Sequence, residues 1–258
     1  MALRPSTPEV RLERMTGQDV AEGGFDKAIL PIGATEYHGP HLPYGTDTIG
    51  AEALAEGIAR ELGQTIVLPT LDYGVSFHHI EFPWTVSLRP ETLTMMVRDI
   101  IESVMAHGIR KIAILTAHDG NPPPAESAAR SLYQDHGIEI AMIGGWQGAA
   151  RKALAGTWDI DLDHAGQSEM SLVLYGAPET ARIDLAVNQP NQGMGHPVSI
   201  VGSFKGTVPK GYSGKAADGS EEEGEAIVKA IAALVVPFLR DLDAHDWKRG
   251  SWLSGIDS

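Results

Sequence analysis

The sequence predicts a single-domain α/β fold, with a largely parallel central sheet flanked by helices, on three observations. Short apolar runs of strand length alternate with longer segments of helical periodicity, the order that builds β-α-β units. A histidine or carboxylate cluster follows two of those strands, and the carboxyl ends of strands are where open α/β sheets bind ligands. At 258 residues and 43% hydrophobic, the chain is long enough for one large core. No internal repeat or linker divides it, so residues 1–258 are read as one domain.

Ala28 to Ile32 is the first strand. Thr48 to Leu62 follows as a helix, with Thr46 or Asp47 near its N-cap, where a short oxygen-bearing side chain can satisfy free backbone N–H groups. Thr65 to Pro69 is the second strand. Arg89 to His107 is the clearest helix: Leu93, Met96, Val97, Ile100, Ile101, Val104 and Met105 recur at helical spacing and belong to the core, and Gly108 closes it. Lys111 to Thr116 is a strand that runs into Ala117-His118-Asp119-Gly120-Asn121. A helix from Pro124 to Asp135 and a strand from Ile138 to Ile143 complete a further β-α-β unit, and Ala165 to Tyr175 is helical. Residues 188–224 are rich in Gly, Pro, Ser and Asn, and so long an irregular stretch points to function or to a subunit contact. Glu221, Glu222 and Glu223 place negative charge at the start of the last helix, where the helix dipole favours it. Its Ile227, Ala230, Ile231, Leu234, Val235, Phe238 and Leu239 form one apolar stripe.

Composition excludes several functions. The net charge of −14, with no cluster of Lys or Arg, would repel a phosphate backbone, so no nucleic-acid partner is expected. There are no cysteines, so any metal must be held by nitrogen and oxygen. Met1 to Val10 has no apolar core and soon turns charged, unlike a secretory signal. The longest apolar run, Ala230 to Leu239, is broken by Pro237 and too short to span a bilayer. The expectation is a cytoplasmic protein without a membrane partner.

The stretch from Thr35 to Asp47 carries the chemistry. Glu36 and His38 are two residues apart just after the first strand, so both side chains can leave the same face, and Asp47 can bridge back to them. Carboxylate oxygen and imidazole nitrogen suit Zn²⁺, Mn²⁺ or Fe²⁺, and a carboxylate can span two ions. If Glu36, His38, Asp47 and His118 converge, they suit two divalent ions sharing Asp47 and a water, an arrangement that yields a hydroxide near neutral pH and polarises a carbonyl. Glu169 is the fifth candidate ligand, and His164 is placed to protonate a leaving group. Tyr37, His41, His78 and His79 fit the pocket lining and ordinary loop packing equally well.

These residues resemble the creatininase (creatinine amidohydrolase) family. Pro31-Ile32-Gly33-Ala34-Thr35-Glu36-Tyr37-His38-Gly39-Pro40-His41-Leu42-Pro43-Tyr44-Gly45-Thr46-Asp47-Thr48 is similar to its longest motif. Phe82-Pro83-Trp84-Thr85-Val86-Ser87-Leu88 resembles its Phe-Pro-Gly-Thr-x-Ser-Leu, Ala117-His118-Asp119-Gly120-Asn121 its Gly-His-Gly-Gly-Asn, and His164 to Ser171 its His-Ala-Gly-x-x-Glu-Thr-Ser. The resemblance covers about residues 28–230. It implies a dinuclear metal site with Glu36, His38, Asp47 and His118 as ligands, Asp47 as the bridge and Glu169 completing the set. It further implies that His164 moves protons and that the chain forms a homo-oligomer, often a hexamer made from dimers.

The departures bear on substrate. Creatininase itself has an aromatic residue and then a metal-binding Glu after the His that matches His118; here Asp119 and Gly120 follow, which argues against creatinine. Asp119 is a candidate catalytic acid or extra ligand, and Trp84, where Gly is usual, is expected to reshape the pocket. Relatives open cyclic amides, deformylate aminopyrimidines, trim a peptide end or hydrolyse inositol-derived ketones. The leading expectation is a metal-dependent hydrolase of a C–N bond in a small polar substrate. The alternatives are a C–C hydrolase of a cyclic polyol ketone and an inactive, metal-stabilised binding protein.

Overall fold

The computed structural model describes residues 9–190 and 201–248. Most of the non-secretory start and residues 191–200 of the irregular segment lie outside the described residues. Four parallel strands, β1 (Lys27–Ile32), β2 (Thr65–Val67), β3 (Lys111–Thr116) and β4 (Ile140–Ile143), lie in the order β2-β1-β3-β4. The helices are α1 (Gly17–Gly23), α2 (Thr46–Leu62), α3 (Pro90–Ala106), α4 (Pro122–His136), α5 (Trp146–Ala153), α6 (Gln167–Gly176) and α7 (Glu221–Ala244). After β1 the chain adds β2 on one side and β3 on the other. Strand order therefore switches at the β1/β3 pair, where Ile32 lies beside Thr116.

Alternation along the strands sorts the core into two layers. Ala28, Leu30, Ile32, Ile66, Ile112 and Ile114 pack against Leu93, Val97 and Ile101 of α3 and Ala125, Ala128 and Leu132 of α4. Ile29, Val67, Ala113 and Leu115 face Leu54, Ala55 and Ile58 of α2 and Ile227, Ile231, Val236 and Leu239 of α7. A sheet covered on both faces needs apolar residues at every position, which is why β1 and β3 read as continuous apolar runs. Gln167 to Leu174 of α6 are all buried, so that helix is enclosed on every side.

The sequence and the structure differ at identifiable points. β2 stops at Val67, although Leu68 still donates its N–H to Ile29; Pro69 has no N–H with which to extend the ladder. α1 buries no residue, so it has no apolar stripe to betray it, although Thr16 and Asp19 form a capping box at its start. The apolar stripe of α7 is turned from the expected one: Val228, Ala232 and Val236 are buried while Leu234 and Phe238 are about half exposed (52% and 49%). Pro237 sits on the exposed side, and the helix continues past it to Ala244. Asp243 in its last turn pairs with Lys27 and Lys111 at the amino ends of β1 and β3. Among the described residues no helix is long and apolar enough to cross a membrane.

The packing sets a test. Leu30 is fully buried at the centre of the sheet, so Leu30→Ala is expected to cost roughly 2–5 kcal/mol in urea unfolding. Leu234→Ala is expected to stay within about 0.5 kcal/mol of the parent. Equal losses would show that the exposed side of α7 is assigned wrongly.

Candidate metal centre

The carboxyl ends of β1 and β3 open into one cleft, and the chain is built tightly around it. A Cβ at Gly33, directly after β1, would lie 2.5 Å from the backbone of Thr48, so only glycine lets the start of α2 come this close to the strand end. The loop between β1 and α2 folds back on itself through Glu36 N–H to the Tyr44 carbonyl (3.0 Å), burying Glu36 and His38 completely. Asp47 enters from the first turn of α2, where Gly45 is the N-cap, so its carboxylate serves the cleft rather than capping the helix. His118 comes from the turn after β3, and Glu169 from the first turn of α6.

These groups converge. Asp47 Oδ1 lies 3.6 Å from His38 Nε2 and Asp47 Oδ2 lies 3.5 Å from His118 Nδ1. Glu36 Oε1 is 3.4 Å from His118 Nδ1 and 4.0 Å from His38 Nε2, and Glu169 Oε2 is 3.7 Å from His38 Nε2. Three overlapping groups could each hold an ion: His38 with Asp47 and Glu169, Glu36 with His78 and His118, and Glu36 with His38 and His164. Hydrogen bonds fix the imidazole tautomers. His118 donates Nε2–H to the Val75 carbonyl (3.1 Å), His38 donates Nδ1–H to the Glu36 carbonyl (3.1 Å) and His164 donates Nε2–H to the Tyr37 carbonyl (3.1 Å). The remaining nitrogen of each ring faces the carboxylates, the usual arrangement of a ligating histidine.

Both oxygens of Glu36, His38 Nε2 and Asp47 Oδ2 are buried without a hydrogen-bond partner. Buried polar atoms are costly when unpaired, and four of them pointing at a common centre fit a divalent cation better than any apolar filling. The protonation pattern agrees. Burial would lower the pKa of His38 and His118, but Asp47 and Glu169 around the first, and Glu36 and Asp47 around the second, overcome it and raise each to about 10. Burial opposes ionisation of Glu36, and the attraction of His118 outweighs it, holding the carboxyl well below its ordinary range. Burial, reinforced by Asp47 and Asp163, pushes Glu169 up to about 8. Without metal, protons supply the positive charge that the carboxylates demand. Burial keeps His79 and His164 neutral, the former with a pKa of about 3.

Glu36, Asp47, His118, His164 and Glu169 line a cavity of about 480 Å³, with His38 buried behind them. A larger groove, about 1160 Å³, runs beside β4 and α7 but contains none of the ligand groups. His78 and His79 line the cavity with Phe204, and His78 stacks on His118. His41 does not line it: the ring is buried in loop packing and bonded to the Ala165 carbonyl. Tyr37 stacks on Phe82 and contributes its carbonyl to His164. Asp119 is exposed, lines the cavity and belongs to none of the three ligand groups, so the geometry does not support an extra ligand there. Trp84 is 84% exposed with φ +58 and lies outside the lining, so it does not reshape the pocket; the left-handed backbone there explains why glycine would suit the position. A Cβ on Gly120 would lie 2.0 Å from the Val75 carbonyl oxygen, so this backbone leaves no room for a carboxylate at that position; the carboxylate that α6 brings to the cluster is Glu169. Sequence reasoning missed Gln147 on α5, which donates to Glu169 Oε1 (3.2 Å), and Trp146, which donates to the Ala117 carbonyl (3.3 Å). Both follow Gly144-Gly145 directly after β4, the one available signal.

A parallel sheet whose switch-point cleft holds an oxygen-and-imidazole cluster defines a class, the α/β proteins that bind metal at the carboxyl ends of their strands, and the comparisons with known proteins make it a class of hydrolases. The chain belongs to the creatininase family: the family model described as creatinine amidohydrolase matches residues 13–239. It is 28% identical to the creatinine amidohydrolase of Pseudomonas putida over 233 residues, which cover 83% of this chain and 88% of that protein. It is also 28% identical to the 3-dehydro-scyllo-inosose hydrolase of Thermotoga maritima over 244 residues, covering 84% and 78%. A solved mutant creatininase of the Zn-Zn type superimposes with a TM-score of 0.70 at 25% identity, covering 90% of this chain and 97% of that one.

In the metal-free protein, His38, His118 and Glu169 hold protons that the unfolded chain releases. The stabilisation from the two histidines is fully present below their unfolded pKa of about 6.5 and is lost as pH rises through about 10, while the raised Glu169 acts in the same direction up to about 8. The melting temperature of chelator-treated protein should therefore fall between pH 6.5 and 10, and Zn²⁺ binding should release protons, visible as a dependence of calorimetric heat on the buffer. A flat profile without proton release would contradict the cluster's assignment.

Proposed function

We propose that this chain hydrolyses a C–N bond of the cyclic amide or formamide type in a small polar substrate, using two divalent ions, zinc or manganese. Glu36, Asp47 and His118 would hold one ion, and His38, Asp47 and Glu169 the other. The observation that carries this reading is Asp47, whose two oxygens face His38 and His118 separately at 3.6 and 3.5 Å. When bound, the ions supply an activated water and polarise the substrate carbonyl. The remaining work falls to side chains. His164 is neutral, with Nε2–H anchored on Tyr37 and Nδ1 turned to the cleft 3.9 Å from Glu36, so it can take up a proton and pass it to a leaving nitrogen. Phe204 packs against both His79 and His164 and shields that side from water.

Among the described residues the lining includes Asp119 and Asp163 but no Lys or Arg, so apart from the ions no cationic group there would pair with a substrate carboxylate, and this favours an uncharged or cationic substrate. Asp119 at the rim is assigned to the substrate's donor groups or to proton delivery. Gly120 and Asp119 at the positions described above speak against creatinine itself. A second reading, C–C hydrolysis of a cyclic polyol ketone, is supported by the inosose hydrolase being as similar to this chain as the creatinine amidohydrolase is.

Metal-loaded protein offered cyclic amides, formamides and keto-inositols should turn over an amide. Turnover of keto-inositols alone would move the assignment to the second reading, and two bound ions with no turnover in either group would favour a binding protein. Asp47→Ala should lose both ions and all activity, while His164→Gln should keep the ions and lower kcat by roughly 10²- to 10⁴-fold. Normal turnover in His164→Gln would remove that residue from the chemistry.

A further inference from the structure

Two buried side chains beside the cluster face no ion position, yet each holds a residue that in turn holds one ligand. His41 donates Nε2–H to the Ala165 carbonyl at 2.7 Å, and burial keeps the imidazole neutral. Ala165 is itself fully buried and held in the left-handed region at φ +53, a conformation that costs energy for any residue with a Cβ and persists only where its surroundings enforce it. Its N–H donates to Glu169 Oε2 at 2.6 Å, the same oxygen that faces His38. On the other side of the cleft, Asn121 is fully buried. It accepts the Val75 N–H through Oδ1 (3.0 Å) and donates Nδ2–H to the Gly33 carbonyl (2.8 Å). The Val75 carbonyl then accepts Nε2–H from His118 and aims its other nitrogen at Glu36 and Asp47.

We infer that the two ion positions have separate supports: His41 acts through Ala165 on the position formed by His38, Asp47 and Glu169, and Asn121 acts through Val75 on the position formed by Glu36, Asp47 and His118. Both are positioning residues, and the inference rests on the dinuclear reading above. Outer partners of metal ligands typically govern affinity by 10- to 100-fold, through ligand orientation rather than charge. Asp47 is common to both positions, so coupling between them runs through that carboxylate and not through the outer supports.

The test is Zn²⁺ affinity and ions per chain, by competition with a chromophoric chelator and elemental mass spectrometry, with circular dichroism to confirm folding. The wild type should hold two ions. His41→Ala should weaken one ion by roughly 10- to 100-fold and leave the other within about twofold, and His41→Gln, whose amide can still reach Ala165, should restore it. In a Glu169→Gln background, which has already lost that position, His41→Ala should change nothing further while Asn121→Ala weakens the remaining ion. Should His41→Ala fail to fold, His41→Asn, whose amide falls short of Ala165, is read in the same way. Equal weakening of both ions by His41→Ala, or a further loss in the Glu169→Gln background, would overturn the separation while leaving the dinuclear site standing. A wild type that holds fewer than two ions would overturn the dinuclear reading itself, and this inference with it.

Discussion

Three carboxylates, Glu36, Asp47 and Glu169, are buried with an oxygen of each within 4.0 Å of His38 Nε2, and acidic groups so gathered in a low-dielectric interior can ionise together only if cations join them. The fold around the cleft meets that constraint. Opening the sheet at the β1/β3 switch brings Glu36, His38 and Asp47 from one strand end against His118 from the next, and α6 delivers Glu169. In the absence of metal the histidines take up the missing positive charge as protons, so the same cluster is a proton store at neutral pH and a cation site when ions displace those protons.

Holding such a cluster requires a stiff frame, and the stiffness comes from backbone rather than from long side chains. The carbonyls of Glu36, Tyr37 and Val75 set the orientation of three imidazoles. Glycines at 33 and 120 allow backbone contacts that a single Cβ would block. These devices leave the ligand side chains with few alternative rotamers, so little ordering cost remains when an ion arrives.

The sheet and its main helices are legible because a doubly covered parallel sheet forces apolar runs and the helices on its faces must present apolar stripes. Lys27–Ile32, Lys111–Thr116 and Pro90–Ala106 could be read almost residue by residue. The candidate ligands could be singled out because carboxylate and imidazole next to strand ends have few other reasons to be there, and the fold brings them together. The rest depends on tertiary contacts that leave no local pattern. α1 buries nothing, the side of α7 that packs is chosen by its neighbours, and Gln147 is an unremarkable glutamine until α5 carries it to Glu169. His41 belonged to the same motif as His38, yet its spacing could not show that one ring faces the cleft and the other faces the Ala165 turn.

The source of the third carboxylate has a consequence for the cavity. A carboxylate entering from position 120 would project from the turn that carries His118, and the Val75 carbonyl forbids it. With Glu169 entering from α6 instead, that turn has no side chain at 120 and the exposed Asp119 lines the cavity beside it. Asp119 therefore presents its carboxylate to the cavity and stands outside the three candidate ligand groups. The turn that carries His118 thus offers the cavity one exposed carboxylate and no side chain at 120, on a frame that this chain shares with a creatinine amidohydrolase and an inosose hydrolase, and a shared frame leaves the choice of substrate to such lining residues.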